Sequence, residues 1–227
     1  MSMKQFFKEL EGKRIEGEIV KTFLSSLISS LIILGILYFV FLQKVPNFFT
    51  EYGIYSLFII ISYSMIFPAI RQIKTYKQFA CMPGMMIGMT IGMISGFLIG
   101  FFIGATNGMF WGSVFGMLIG IIFGIYNGNC CGIMGIMEGI MAGFMGGLMG
   151  AMSSVMMLNE HIKAASIIVI IVSGAILFGL HYMIYKEMKN EEVKDKEKII
   201  SSILISATLS ILTTLFMVFG PRSVFLI

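Results

Sequence analysis

Seven methionines recur through one apolar stretch: Met134, Met137, Met141, Met145, Met149, Met152 and Met156. Their mean step of about 3.67 residues nearly matches the helical repeat, so on a helix their sulfurs form an almost straight row. Upstream, Cys81, Met82, Met85, Met86, Met89 and Met93 crowd the start of another apolar run. Thioether and thiolate sulfurs are soft ligands that select Cu(I) over hard cations. A ladder of weak sites is also what ion passage requires, favourable enough to enter and weak enough to leave. Glu138, flanked by Met134, Met137 and Met141, is the only charged residue between Gln78 and Asn159. A charge at membrane depth is costly and tends to face a cavity or pathway. Glu138 is therefore a candidate to attract a cation or accept a proton; its alternative is a hydrogen-bonded carboxyl satisfied by Asn107, Asn127 or a backbone group.

Cys130 and Cys131 follow Asn127-Gly128-Asn129 and fall at the same membrane end as Cys81. Together they are a candidate thiol site for Cu(I), although neighbouring cysteines point in different directions and only one of the pair can meet Cys81. The candidate metal set is Cys81, Met82, Met85, Met89, Met93, Cys130, Cys131, Met134, Met137, Glu138, Met141, Met145 and Met149. His181 is a possible extra ligand and His161 a possible outer collecting point; a lone histidine is more simply a hydrogen-bonded one. The competing reading of the whole set is packing. Methionine is flexible and polarizable, and it fits the irregular surfaces of glycine-rich neighbours.

The elements that must position these residues are membrane helices. The chain of 227 residues is 57% hydrophobic and 12% charged, where a soluble domain carries about 25% charged residues. Spans need about 20 apolar residues each, which predicts seven of them, at 19–42, 53–70, 84–105, 109–126, 130–157, 164–185 and 199–220. The predicted fold is an all-α polytopic membrane domain over 19–220 with a tightly packed Gly/Met-rich bundle at 82–157. Residues 1–18 read as a cytoplasmic or interfacial segment, 186–198 as a charged cytoplasmic loop and 221–227 as a tail. With the N-terminus inside and the C-terminus outside, only Lys44, Lys163 and Arg222 of the 16 basic residues lie outside, as the positive-inside rule requires. The first apolar run is long enough to span and does not read as a signal-peptide core.

Glycine dominates the bundle. Thirteen stand at every fourth position from Gly84 to Gly132, although each costs about 1 kcal/mol against alanine in a soluble helix. In a bilayer, small residues four apart let helix backbones approach closely. One helix over that stretch would reach about 73 Å, so the register must break, and Thr106-Asn107-Gly108 and Asn127-Gly128-Asn129 are its turn-like tripeptides. The stretch from Gln78 to Asn159 holds 15 of 21 methionines and 19 of 26 glycines; a chain-wide codon bias would have enriched methionine in the flanking spans as well.

Other classes are not indicated. There is no HExxH, nucleophile elbow, P-loop or pair of intramembrane aspartates, so no enzyme is expected. Three cysteines without a spacing framework do not form a disulfide scaffold, and the net charge of +4 is loop bias with no nucleic-acid partner implied. Met85-x-x-x-Met89 with Gly96-x-x-x-Gly100 resembles elements of the eukaryotic high-affinity copper importers of the Ctr type. Those carry an MxxxM motif on one helix and GxxxG packing on the next. Here both lie on one span, seven spans are expected, and no methionine-rich N-terminal ectodomain is present. The expectation is a transporter or channel-like protein of the cytoplasmic membrane for a soft metal ion, most simply Cu(I). Its partners would be membrane lipid, further copies through the glycine-rich helices and a cytoplasmic metal chaperone. The alternatives are a metal-independent glycine-zipper channel or scaffold, and a small-molecule permease.

Overall fold

A computed structural model describes residues 15–40, 52–75, 81–157, 161–187 and 199–221. Of the segments expected at 1–18, 186–198 and 221–227, residues 1–14, 188–198 and 222–227 lie outside the described residues, while 15–18 and 186–187 are helical. Seven α-helices are present among those described: α1 (Ile15–Val40), α2 (Ile54–Thr75), α3 (Cys81–Asn107), α4 (Met109–Gly128), α5 (Ile133–Met156), α6 (Ile162–Glu187) and α7 (Ile199–Phe219). The described parts of α1 to α6 are long and apolar enough to cross a membrane, and α7 contributes a shorter apolar run, Ile203–Phe219. The chain is a helical, multi-pass membrane protein.

The glycine register breaks at two places. At Gly108, φ is 99° and a single residue joins α3 to α4. At Gly132, φ is 71°, and a 3₁₀ turn over Asn129–Cys131 leads into it. Left-handed φ is the conformation that only glycine adopts without cost. The second break therefore falls later than Asn127-Gly128-Asn129, and α5 starts at Ile133 where residue 130 was expected. Gly128 stays helical because it is needed for packing: a Cβ on Gly88 would lie 2.8 Å from its Cα.

α3, α4 and α5 form a three-helix core in which glycine meets glycine. A Cβ added to Gly96 would lie 2.8 Å from the Gly143 carbonyl oxygen, and one on Gly100 would lie 2.6 Å from that of Gly147. From α4, Cβ atoms on Gly116 and Gly120 would lie 2.8 and 2.9 Å from the Cα atoms of Gly100 and Gly96. Residues rise along α3 as they rise along α5 and fall along α4, so α3 and α5 are parallel and in direct contact, and α4 packs against both in the opposite sense. From Gly88 to Gly104, each glycine of α3 thus meets both neighbouring helices. Four-residue spacing drifts by about 40° per step, which widens the stripe enough to serve both.

The outer helices are layered against this core. α2 packs on α1, α3, α6 and α7, while α1 makes its main contacts with α2 and α7. Their interfaces are built from large side chains: Tyr63, Ile66 and Phe67 of α2, Ile87, Ile91, Leu98 and Phe102 of α3, and Leu180 and Ile184 of α6 are all buried. Phe115 of α4 stacks on Phe216 of α7 with centroids 3.8 Å apart. α1 and α5 thereby occupy opposite edges of the molecule.

Candidate functional site

α5 has two faces of different composition. Gly135, Gly139, Ala142, Gly143, Gly146, Gly147 and Gly150 are buried against α3 and α4. Met134, Met137, Met141, Met145, Met149, Met152 and Met156 point the other way and are 48% to 73% exposed. The row is as straight as its spacing predicts, and among the described residues the main contacts of α5 are with α3, α4 and the connecting turn. Glu138 is exposed on the same side, and no hydrogen bond or ion pair reaches it among the described residues. Neither asparagine satisfies it. Asn127 donates to the Phe123 carbonyl and Asn107 to the Phe216 carbonyl.

On α3, Met82, Met86, Met89 and Met93 are exposed and Met85 is half-buried. The backbone of Met93 lies against Gly146 of α5, which stands between Met145 and Met149 in the row. The two methionine stripes thus run along neighbouring helices whose backbones touch. That contact leaves no room for an ion between α3 and α5, so the methionines line the outside of the core.

Cys130 is brought to the start of α3. Its thiol donates to the Asn127 carbonyl at 3.1 Å and stands 3.9 Å from the Gly84 carbonyl, one turn from Cys81 along the helix. The side chains of Cys81 and Cys131 lie outside the described residues. No group of three or more His, Cys, Asp and Glu side chains able to hold a metal occurs among the described residues. His161 is exposed at the start of α6, at the far end of the core from Cys130.

His181 is bonded elsewhere: its Nδ1 lies 2.5 Å from Gln72 Oε1 between α6 and α2. It belongs to a buried polar layer among the outer helices that sequence reasoning did not assemble. Arg71, one residue past the span expected at 53–70, is 8% exposed inside α2 and donates to Thr22 of α1 at 2.5 Å. Ser26 and Ser206 share a hydrogen bond at 3.0 Å, and Ser64 donates to the Phe23 carbonyl at 2.9 Å. Interhelical hydrogen bonds of this kind are a usual adhesive between membrane helices. The available signal was the spacing of Thr22, Ser26 and Ser30, four apart on one face of α1.

A cavity of about 290 Å³ lies between α3 and α6 and opens to the outside. Met93, Ile94, Phe97 and Leu98 line one wall, and Ile168, Val169, Val172, Ser173 and Ile176 the other. Its single hydroxyl, on Ser173, is satisfied by the Ile170 carbonyl, so the wall offers apolar contact alone.

Compared with protein-family models, curated proteins and solved structures, the chain matches none.

Proposed function

We propose that the chain is a protein of the cytoplasmic membrane that binds and passes a soft monovalent metal ion, Cu(I), along the outer face of α5. One observation carries this reading: methionine is selected on an outward surface where mere contact with lipid does not select it. Exposed methionines occur on α3, α4 and α5, whereas the outward residues of α1, α6 and α7 are Leu24, Ile28, Ile36, Ile168, Ile171, Val172, Leu204, Leu212 and their like. Seven thioethers in a row offer repeated soft sites of modest affinity, and Glu138 supplies negative charge near one end. In the orientation expected from the basic residues, that end is cytoplasmic, and Cys130 with Cys81 would there meet a metal chaperone. The backbone contact of α3 with α5 directs the route along the surface of the core and not through its interior.

The test is Cu(I) binding by purified protein in competition with a chromogenic chelator. Replacing Met137, Met141, Met145 and Met149 together by leucine is expected to weaken binding at least tenfold. Unaltered binding would overturn the reading and leave a metal-independent membrane scaffold.

A second reading rests on the cavity between α3 and α6. A cavity of about 150 Å³ lined by aliphatic and aromatic side chains can hold benzene, so this larger one suits an apolar molecule or part of an acyl chain. Filling it with Val172→Trp should abolish retention of a spin-labelled or photoactivatable fatty acid; retention at the original level excludes this groove as the site.

A further inference from the structure

We infer that two Cu(I) sites bridge α3 and α5 within one chain, the first formed by Met89 with Met141 and Met145 and the second by Met93 with Met145 and Met149. The inference rests on the metal reading above and deepens it, adding α3 to a ladder that the reading lays along α5 alone.

The register of the two helices fixes the pairs. A Cβ on Gly146 would press on the Met93 carbonyl oxygen, and one on Gly150 on that of Phe97. The same register holds toward the start of both helices, where Cβ atoms on Gly92 and Gly88 would lie 2.9 and 3.2 Å from the carbonyl oxygens of Gly139 and Gly135. Four residues before Met93 and Gly146, Met89 therefore stands beside Ala142. On a helix, the residues one before and three after a contact position border it on the same flank. Those residues are Met145 and Met149 for Gly146, and Met141 and Met145 for Ala142. α4 takes the other flank, where Cβ atoms on Gly143 and Gly147 would press on the backbone of Ile121 and Met117. The methionine flank is the open one: Met89, Met93, Met141, Met145 and Met149 are 38% to 67% exposed.

Each rung offers one thioether from α3 and two from α5, a set of soft donors alone. Because the backbones touch, the side chains of both helices stand side by side over the seam, and three rotatable bonds let each sulfur swing toward a common point. The two rungs lie four residues apart, about 6 Å along the helix, and they share Met145. An ion can move from one to the next while keeping one sulfur, which satisfies the need for weak and repeated sites. Farther along, α3 presents Phe97 and Phe101 in this register and no methionine. Met152 and Met156 therefore belong to the α5 row but to no rung. The competing account is packing. Met93 has such a role, since it also lines the cavity between α3 and α6; Met89 is not part of that wall, which makes it the decisive position.

The experiment titrates Cu(I) into the purified chain against a chromogenic chelator, with Cys81, Cys130 and Cys131 replaced by alanine throughout so that thioethers alone are read. Met89→Leu combined with Met93→Leu is expected to weaken binding at least tenfold. Met152→Leu combined with Met156→Leu is expected to leave it unchanged. X-ray absorption at the copper edge should count three sulfur neighbours in the parent and fewer in the α3 double variant. Unchanged affinity in the α3 double variant, while the fourfold α5 variant loses Cu(I), overturns the bridging sites and leaves the α5 ladder standing. Unchanged affinity in both variants overturns the metal reading and this inference with it. Equal losses from the Met89/Met93 and Met152/Met156 pairs overturn the register. Leucine nearly conserves volume at these positions; should the α3 double variant nonetheless fail to fold, two or fewer sulfur neighbours in the parent overturn the inference and three sustain it.

Discussion

Glycine is used in two ways in this molecule, and the contrast separates its core from its periphery. In α3, α4 and α5 a Cβ on almost any glycine would collide with the backbone of a neighbouring helix, as Gly112 would meet the Gly104 Cα at 2.5 Å. In α1 and α6, Gly35 and Gly179 have nothing within 4 Å, and Gly174 meets only the flexible end of Met65. The central helices are therefore held by backbone against backbone, with dispersion contacts and no large side chain between them. The outer helices are held by interlocking Ile and Phe side chains and by buried hydroxyl, amide and guanidinium hydrogen bonds. A packed glycine stripe resists any enlargement, whereas a side-chain interface can repack around one.

Substitution can break that contrast most forcefully at Gly100. Gly100→Leu should abolish folded protein, and Gly100→Ala should cost about 2 kcal/mol because the added methyl meets backbone that cannot swing aside. Thermal unfolding in detergent, followed by size-exclusion profile, measures both; a Gly100→Ala protein as stable as the parent would mean that the core is looser than described. A smaller effect is expected in the outer layer. His181→Leu leaves Gln72 buried at 1% exposure with its carbonyl unmatched as well as its Nε2, which already lacks a partner. Such a loss costs about 1–3 kcal/mol, and Gln72→Leu combined with it should recover much of the deficit. Replacing the seven α5 methionines by leucine should change monomer stability by less than about 1.5 kcal/mol per site, since the swap nearly conserves volume. A large loss at the row would move it from the periphery into the load carried by the fold. The smallest effect is expected at Gly35→Ala, a stabilisation of roughly 0.5–1 kcal/mol from helix propensity alone.

The seven helices were legible in the sequence because hydropathy and turn residues agree along most of the chain. The break at Gly108 was legible for the same reason. The second break was displaced because a strict four-residue register looks alike at every glycine. Nothing local reveals that Gly128 packs while Gly132 turns. That the α5 methionines oppose its glycines followed from spacing alone, but that no described residue covers them depends on where α6 and α7 dock. The pairing of Arg71 with Thr22 and of His181 with Gln72 was hidden for another reason. Each joins residues from distant segments whose individual types are ordinary at a membrane interface.

The junction at Gly108 also bears on how the protein is made. One residue separates α3 from α4, so no hydrophilic loop exists there to be carried across a bilayer ahead of the second helix. The pair must enter the membrane as a closed hairpin, with contacts that are short in sequence and quick to form. α5 then completes the core by docking onto a template already zipped from Gly88 to Gly128, and a ribosome pausing within Met109–Gly128 would strand a half-made groove of bare backbone.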